Sequence, residues 1–192
     1  QFYGWTVDFK QLDDGPHSDV RSDLRTGITL DVYSNGTNSI PSSDKTYTNN
    51  YNRIRQVNTL LQQAEGYAVP ADIETSVGEA HFFRAYCYFD LLQVYGDVII
   101  TRTPLDIDSP EMKMARNSRD EVVDFILEDL EEAIRLLPEA NEISSKDEGR
   151  LSNQAASAFL SRVALYEGTW QKFRNGGQNN DRSSALLDIA AT

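Results

Sequence analysis

The run from Asp72 to Tyr95 carries apolar and aromatic residues around almost its whole circumference when it is drawn as a helix. A helix on the surface of a globular protein keeps a polar face toward water, so a helix that is apolar on every side belongs in the middle of a bundle. This run therefore predicts a central helix with packing partners on several sides. We expect its aromatic residues to be core rather than ligand-binding groups; they are Phe82, Phe83, Tyr86, Tyr88 and Phe89.

Four further segments show helical patterns along the chain. Gly66 is a stop signal after the first of them, and Ser118 with Glu121 forms a capping-box pattern at the start of the second. Together with the central run, these segments pair into consecutive helical hairpins, as in tetratricopeptide-like (TPR-like) solenoids. The predicted helices are 48–65, 72–95, 118–137, 152–170 and 183–191, and a long irregular connection spans 97–117.

Residues 1–47 differ in composition from the rest of the chain. Gly, Pro, Asn and Asp cluster there in turns, and only short helical or extended pieces fit between them. The sequence as a whole predicts an all-α fold of TPR-like stacked helix pairs with a loop-rich N-terminal segment. We place that segment at 1–47, packed on the helices, and the helical domain at 48–192.

The charge balance excludes two classes of partner. The chain carries 18 basic and 30 acidic residues, for a formal net charge of −12. Nucleic-acid binding needs basic residues that displace counterions from phosphates, and an anionic membrane surface repels an acidic domain. We therefore expect no contact with nucleic acid and no direct contact with a membrane. No apolar run reaches the roughly 18 residues that a membrane-spanning helix needs.

The residues that most often carry chemistry form no recognisable catalytic pattern. Cys87 is the only cysteine, so no intramolecular disulfide is possible, and its aromatic surroundings predict a small buried hydrophobe. His17 and His81 lie in different segments and are not expected to form a metal site. The Gly-x-Ser-x-Gly, phosphate-loop and His-Glu-x-x-His motifs are absent. The sequence predicts no cofactor, no bound metal and no catalysis.

Four charged residues in the helical segments could form a polar site: Arg55, Glu79, Arg84 and Asp129. An arginine in an apolar helix must be held by a carboxylate or by helix-end carbonyls, because an unpaired buried charge is very costly. We therefore expect a structural role for Arg55 and Arg84, with Glu79 and Asp129 as their partners.

A ligand site is expected in the loops instead. Sugars are recognised by flat aromatic faces and by amides, carboxylates and guanidiniums that bind hydroxyls, and these groups must be exposed. Functional residues also concentrate on loops held by a rigid scaffold. The predicted ligand-binding residues of the loop-rich segment are Trp5, Tyr33, Asn35 and Tyr47.

Four stretches lie in a fixed order between residues 38 and 174. They are Asn38-Ser39-Ile40-Pro41 with Tyr51-Asn52-Arg53-Ile54-Arg55-Gln56-Val57-Asn58, Gly78-Glu79-Ala80-His81-Phe82-Phe83-Arg84-Ala85-Tyr86 with Tyr95-Gly96-Asp97-Val98, Ser118 with Glu121-Val122 and Leu137-Pro138, and Gly149-Arg150-Leu151-Ser152 with Leu165-Tyr166-Glu167-Gly168-Thr169-Trp170. In this order they resemble the SusD/RagB family of nutrient-binding outer-membrane lipoproteins. The chain departs from the family at Ile99, where members often have Pro, at Tyr47, where Trp is frequent, and at Phe173, where Tyr is frequent.

The resemblance implies a protein that is lipid-anchored at the cell surface, captures an oligosaccharide and passes it to a TonB-dependent SusC-like transporter without catalysis. Family members run to several hundred residues, so the resemblance also implies that this chain is an internal fragment, without the lipidated N-terminus and a large C-terminal portion. Two alternatives stay open: peptide capture, as in RagB-like relatives, and a TPR-type adaptor for a protein tail. The loop-rich segment 1–47 distinguishes a SusD-like binding protein from the adaptor, because an adaptor array does not need such a segment.

Overall fold

The computed structural model describes residues 36, 37, 39, 42–174 and 176–191. The chain divides after Ser43, and the unit from Asp44 to Thr192 holds five α-helices among its described residues. They are α1 (Lys45–Glu65), α2 (Glu74–Tyr95), α3 (Arg119–Leu136), α4 (Asn153–Arg174) and α5 (Asp181–Ala191), with short 3-10 turns at Pro70–Asp72 and Pro110–Lys113. Each helix packs on the next one along the chain, which confirms the all-α, TPR-like prediction. Most of the predicted loop-rich segment lies outside the described residues.

Helix α1 begins three residues before its predicted start, because Asp44 caps it. The Asp44 carboxylate accepts hydrogen bonds from the backbone N–H groups of Thr46 at 2.7 Å and Tyr47 at 3.4 Å. A side-chain cap of this kind satisfies orphan donors and stabilises a helix by about 1 kcal/mol. The boundary expected between residues 47 and 48 therefore falls inside the first turn of α1, and Tyr47 belongs to the helix rather than to a loop.

Helix α2 occupies the middle of the unit, as predicted, since it packs against both α1 and α3. The ring of Phe159 on α4 also contacts it, with centroids 5.3 Å from Phe82 and 5.6 Å from Phe89. Aromatic pairs of this geometry contribute about 0.5–1.5 kcal/mol beyond the area they bury. The aromatics predicted to be core divide into three that are buried (Phe82, Tyr88, Phe89) and two that keep partial exposure (Phe83, Tyr86).

Two glycines mark close approaches between helices. A Cβ atom on Gly78 of α2 would lie 3.0 Å from the Cβ of Leu136, at the end of α3. A Cβ atom on Gly168 of α4 would lie 3.0 Å from the Cγ of Leu187 on α5. Because a side chain at either position would crowd these leucines, each glycine sets the distance between its pair of helices.

The ends of α3 and α4 follow from local chemistry. The predicted capping box is confirmed: Glu121 N–H donates to the Ser118 hydroxyl at 3.4 Å, and Ser118 N–H donates to the Glu121 carboxylate at 2.8 Å. The Ser152 hydroxyl accepts from a backbone N–H in the first turn of α4, as expected of an N-cap. Helix α4 continues to Arg174, four residues past its predicted end, because no helix breaker occurs before Gly176.

Side chains of α1 and α2 hold the backbone of the 97–117 connection. The Tyr51 hydroxyl accepts from Ile99 N–H at 3.0 Å and donates to Ile99 C=O at 2.8 Å. The Tyr88 hydroxyl accepts from Thr101 N–H at 2.8 Å, and the Asn58 amide donates to Thr101 C=O at 2.9 Å. The connection is irregular, as predicted, yet its first residues are fixed by buried polar contacts.

Extended structure is scarce in the described part of the chain. Its one strand-like pairing is an isolated antiparallel bridge between Val98 and Asn117. None of the helices among the described residues is both long enough and apolar enough to cross a membrane.

Candidate functional site

Of the four residues predicted to bind ligand, Tyr47 is the one that lies among the described residues. Trp5, Tyr33 and Asn35 lie outside the described residues, so their role stays a prediction. Tyr47 is placed, on the first turn of α1, with 38% of its surface exposed.

Tyr47 is part of an aromatic cluster with Tyr51 and Tyr95. Its ring centroid lies 4.6 Å from that of Tyr51 and 5.4 Å from that of Tyr95, which it meets edge to face. Burial, followed by the nearby Asp44 carboxylate, raises the pKa of Tyr95 to about 12, so this hydroxyl stays protonated near neutral pH. The cluster thus offers a partly exposed ring beside a carboxylate, a combination suited to the C–H face and hydroxyls of a sugar.

A larger cleft, of about 670 Å³, opens where the C-terminal ends of α1 and α3 meet the N-terminal end of α2. Its volume falls within the range of about 300–1,000 Å³ that is usual for small-ligand sites. Apolar side chains form its walls, and charged side chains form its floor and rim. The wall residues include Leu61, Ala64, Ala71, Ile73, Val77 and Leu136.

A buried ion pair forms the floor of this cleft. The side chains of Arg84 and Asp129 are only 6% and 2% exposed. Arg84 Nε donates to Asp129 Oδ2 at 2.8 Å, Nη2 donates to Oδ1 at 2.7 Å, and Nη1 donates to the Asn58 side-chain oxygen at 2.8 Å. Two parallel bonds of this kind offset much of the cost of removing both charges from water. Arg84 therefore ties α2 to α3 and α1, with Asp129 as the partner expected from the sequence.

His81 extends this network toward the cleft. Its Nδ1 lies 2.7 Å from Asp129 Oδ1. Because Asp129 is a carboxylate held by Arg84, it accepts, and Nδ1 carries the proton. In the neutral ring Nε2 is then an acceptor, and within the described part of the chain it has no hydrogen-bond partner. The sequence signal for this arrangement was the three-residue spacing of His81 and Arg84, which puts both on one face of α2.

Glu79 and Arg55 do not take the places expected of them. Glu79 accepts two bonds from Arg150, from Nε at 2.9 Å and from Nη2 at 2.8 Å, and so ties α2 to the loop before α4. Arg55 lies on the exposed side of α1. Its expected structural role in a buried pair is wrong, because Ile54 and Val57 define the buried face and residue 55 turns away from it.

A second buried ion pair, which the sequence reasoning missed, joins α3 to α4. Arg119 Nε donates to both carboxylate oxygens of Glu167, at 3.0 and 2.9 Å. Glu167 is fully buried, and the Arg119 guanidinium lies 4.0 Å from the centroid of the Trp170 ring. The sequence signal that could have revealed this ion pair is an acidic residue flanked by aromatic residues in the Leu165–Trp170 stretch. These residues serve helix packing.

Cys87 is a buried core residue, as predicted. Burial raises the pKa of its thiol to about 12. Because the thiolate is the reactive and metal-binding form, this cysteine is inert near neutral pH.

Comparisons with known proteins agree on one family. A SusD-like family model, described as starch-binding and associating with the outer membrane, matches residues 17–165. A curated SusD-like protein of Bacteroides ovatus is 29% identical over 126 residues, which are 65% of this chain and 21% of that protein. This chain therefore spans about a fifth of the length of that relative.

Solved structures show the same likeness. The crystal structure of a SusD-like protein from Bacteroides fragilis aligns with a TM-score of 0.67 and 27% identity, over 84% of this chain and 30% of its own. A laminarin-binding SusD-like protein aligns with a TM-score of 0.64 and 27% identity, over 84% of this chain and 32% of its own. With a family model that covers more than half of its residues, the chain belongs to the SusD-like (SusD/RagB) family.

Proposed function

We propose that this chain supplies the helical scaffold of a protein that captures an oligosaccharide at the cell surface and hands it on uncleaved. The observation that carries the proposal is the likeness, over 84% of this chain, to a laminarin-binding SusD-like protein. The Tyr47 cluster offers a ring and a carboxylate of the kind that bind sugars. Trp5, Tyr33 and Asn35 are proposed to complete the ligand surface.

The site of action and the partner belong to the same proposal. The family model associates its members with the outer membrane. We add a lipid anchor, cell-surface exposure and delivery of the ligand to a TonB-dependent SusC-like transporter. Delivery requires a ligand that leaves readily, which fits modest affinity, because each sugar hydrogen bond gains only about 1 kcal/mol after competition with water. We expect a dissociation constant of about 1 μM or larger, which corresponds to a binding free energy of about −8 kcal/mol or weaker.

Titration calorimetry against a panel of oligosaccharides, beginning with those of laminarin, tests the capture step. Tyr47→Ala should weaken binding by about 1 kcal/mol if its ring is a platform. Tyr67→Ala is the matched control, since Tyr67 is also exposed but lies beyond the opposite end of α1. Because the Tyr47 ring packs on two other tyrosines, we expect its loss to lower stability as well, by about 1 kcal/mol, so binding must be compared below the unfolding temperature.

The other outcomes are equally informative. Equal weakening by both variants would show that the Tyr47 cluster is not the ligand surface. Steady release of new reducing ends by the pure protein would show catalysis. Binding of peptides but of no glycan would favour the peptide-capture alternative, and binding of neither would favour an adaptor. Failure to co-purify with a SusC-like transporter from outer membranes would remove the hand-over step.

A further inference from the structure

Aliphatic side chains from three helices converge on the cleft of about 670 Å³ without being fully buried there. They are Leu61 and Ala64 of α1, Ile73 and Val77 at the N-terminal end of α2, and Leu136 at the end of α3. Removing apolar surface from water is favourable, roughly in proportion to its area. A ligand that covers these side chains is therefore stabilised by the same effect that forms the core.

The charged side chains of the cleft are balanced against one another. Three arginines and three glutamates line it, so their formal charges cancel. Each guanidinium has a carboxylate partner 2.7 Å away; the pairs are Arg84 with Asp129, Arg102 with Glu128 and Arg135 with Glu132. Glu74 adds a further attraction for Arg135. Glu65 is exposed at the rim, where an added ion pair gains little. A charged ligand thus has little to gain, and the cleft favours a neutral one.

The walls select among neutral ligands. Among the described residues that line the cleft there is no Phe, Tyr or Trp, so a sugar would find no stacking platform. A smaller hollow of about 220 Å³ shares Ala64, Ile73 and Val77 with the cleft. Because these wall residues are common to both, the two hollows are adjacent and apolar surface continues from one to the other. An aliphatic chain can follow such a surface, whereas a compact polar ligand cannot use it.

We propose that this cleft binds a neutral single-chain lipid, such as a monoacylglycerol, taken up as a free molecule. Its acyl chain lies on Leu61, Val77 and Leu136, and its uncharged head stays at the rim, where a hydroxyl donates to the Glu65 carboxylate. Tyr47 lies fourteen residues before Leu61 on α1, or about 20 Å at 1.5 Å per residue. The lipid site is therefore separate from the Tyr47 cluster and does not depend on the proposed glycan function.

Titration calorimetry of the chain with the glycerol monoesters of hexanoic, octanoic and decanoic acid tests the proposal, each below its micelle-forming concentration. Affinity should rise by about threefold to fourfold for each methylene, the gain expected when a CH₂ group leaves water. Added salt should not weaken binding, because no ion pair forms. Octanoate should bind more weakly than the octanoyl ester, since its carboxylate would lie beside Glu65, and a laminarin oligosaccharide should not displace the ester.

Two valines of the same helix provide a matched pair of variants. Val77 lines the cleft, so Val77→Asn should weaken binding of the decanoyl ester at least about threefold. Val94 is 58% exposed and lies outside the cleft, so Val94→Asn should leave the affinity unchanged. Ala71 is exposed in the 3-10 turn at the wall, and Ala71→Trp should fill the cleft and abolish binding. If thermal scans show that Val77→Asn is misfolded, Ala71→Trp still decides the question.

Sedimentation with phosphatidylcholine vesicles distinguishes a free lipid from a membrane surface. The chain should stay in the supernatant, and sedimentation with the vesicles would show that it binds a bilayer instead. No binding of the decanoyl ester, equal affinity across the three chain lengths, binding of octanoate as tight as that of the octanoyl ester, or unchanged affinity in Ala71→Trp would each overturn the proposal.

Discussion

Replacing Arg84 with leucine tests the central structural claim, that a buried ion pair holds α1, α2 and α3 together. The substitution removes three donated bonds, of 2.7–2.8 Å, to Asp129 and Asn58. It leaves the Asp129 carboxylate 98% buried, with the imidazole of His81 as its remaining hydrogen-bond partner. Breaking a buried pair by removing one partner costs about 3–5 kcal/mol. Because His81 still donates one bond and borders an open cleft, we expect the lower end, about 3 kcal/mol.

Urea unfolding followed by far-ultraviolet circular dichroism measures this loss. In a thermal scan, the same loss should lower the midpoint by roughly 6–12 °C for a unit of this size. Arg135→Leu is the matched control, because its ion pair with Glu132 is 63% and 43% exposed and should contribute less than about 1 kcal/mol. A midpoint for Arg84→Leu equal to that of the control would refute the reasoning.

A double variant separates the orphaned charge from lost packing. In Arg84→Leu/Asp129→Leu no buried carboxylate is left without its guanidinium, and replacing both members of a buried pair is often close to neutral. The double variant should therefore be more stable than Arg84→Leu alone. If it is less stable by the sum of two independent losses, the two residues are not coupled and the cost has another source.

Three further predictions address the packing and caps. Cys87 should resist a disulfide reagent near neutral pH until the protein is unfolded, since burial keeps it protonated, and rapid labelling of the native protein would contradict its placement. Gly168→Val should lower unfolding stability by about 1–3 kcal/mol, because its side chain must displace Leu187, whereas an unchanged midpoint would mean that α5 is not packed there. Ser118→Ala should cost about 1 kcal/mol in urea unfolding through loss of the cap on α3, with a negligible loss contradicting the capping box.

Local signals predicted the helices well, because each depends on neighbours in sequence. The continuous apolar surface of 72–95 identified the central helix, and Ser118 with Glu121 marked the start of α3. Errors occurred where a local signal was weak or overlooked. The cap at Asp44 moved the start of α1 to Lys45 and placed Tyr47 in a helix. The absence of a breaker before Gly176 let α4 run on to Arg174.

Pairings between distant residues were only partly predictable. The cost of a buried unpaired charge required a partner for Arg84, but that rule does not select between Glu79 and Asp129. Glu79 instead binds Arg150, which is 71 residues away in sequence. The prediction of a buried ion pair for Arg55 was wrong. A charged residue next to an apolar stripe can lie on either the buried or the exposed side of its helix. The predicted ligand residues Trp5, Tyr33 and Asn35 stay predictions.

The role of polar core residues became visible only with the fold. In the sequence, Tyr51, Asn58 and Tyr88 look like ordinary members of helical stripes. In the structure, the side chain of each one hydrogen-bonds to the backbone of the 97–117 connection. A buried backbone group without a partner costs about as much free energy as a lost hydrogen bond. These side chains therefore allow an irregular segment to lie against the helices. These contacts fix the backbone of Ile99 and Thr101 against α1 and α2. The first part of the connection, fixed in this way, therefore belongs to the scaffold.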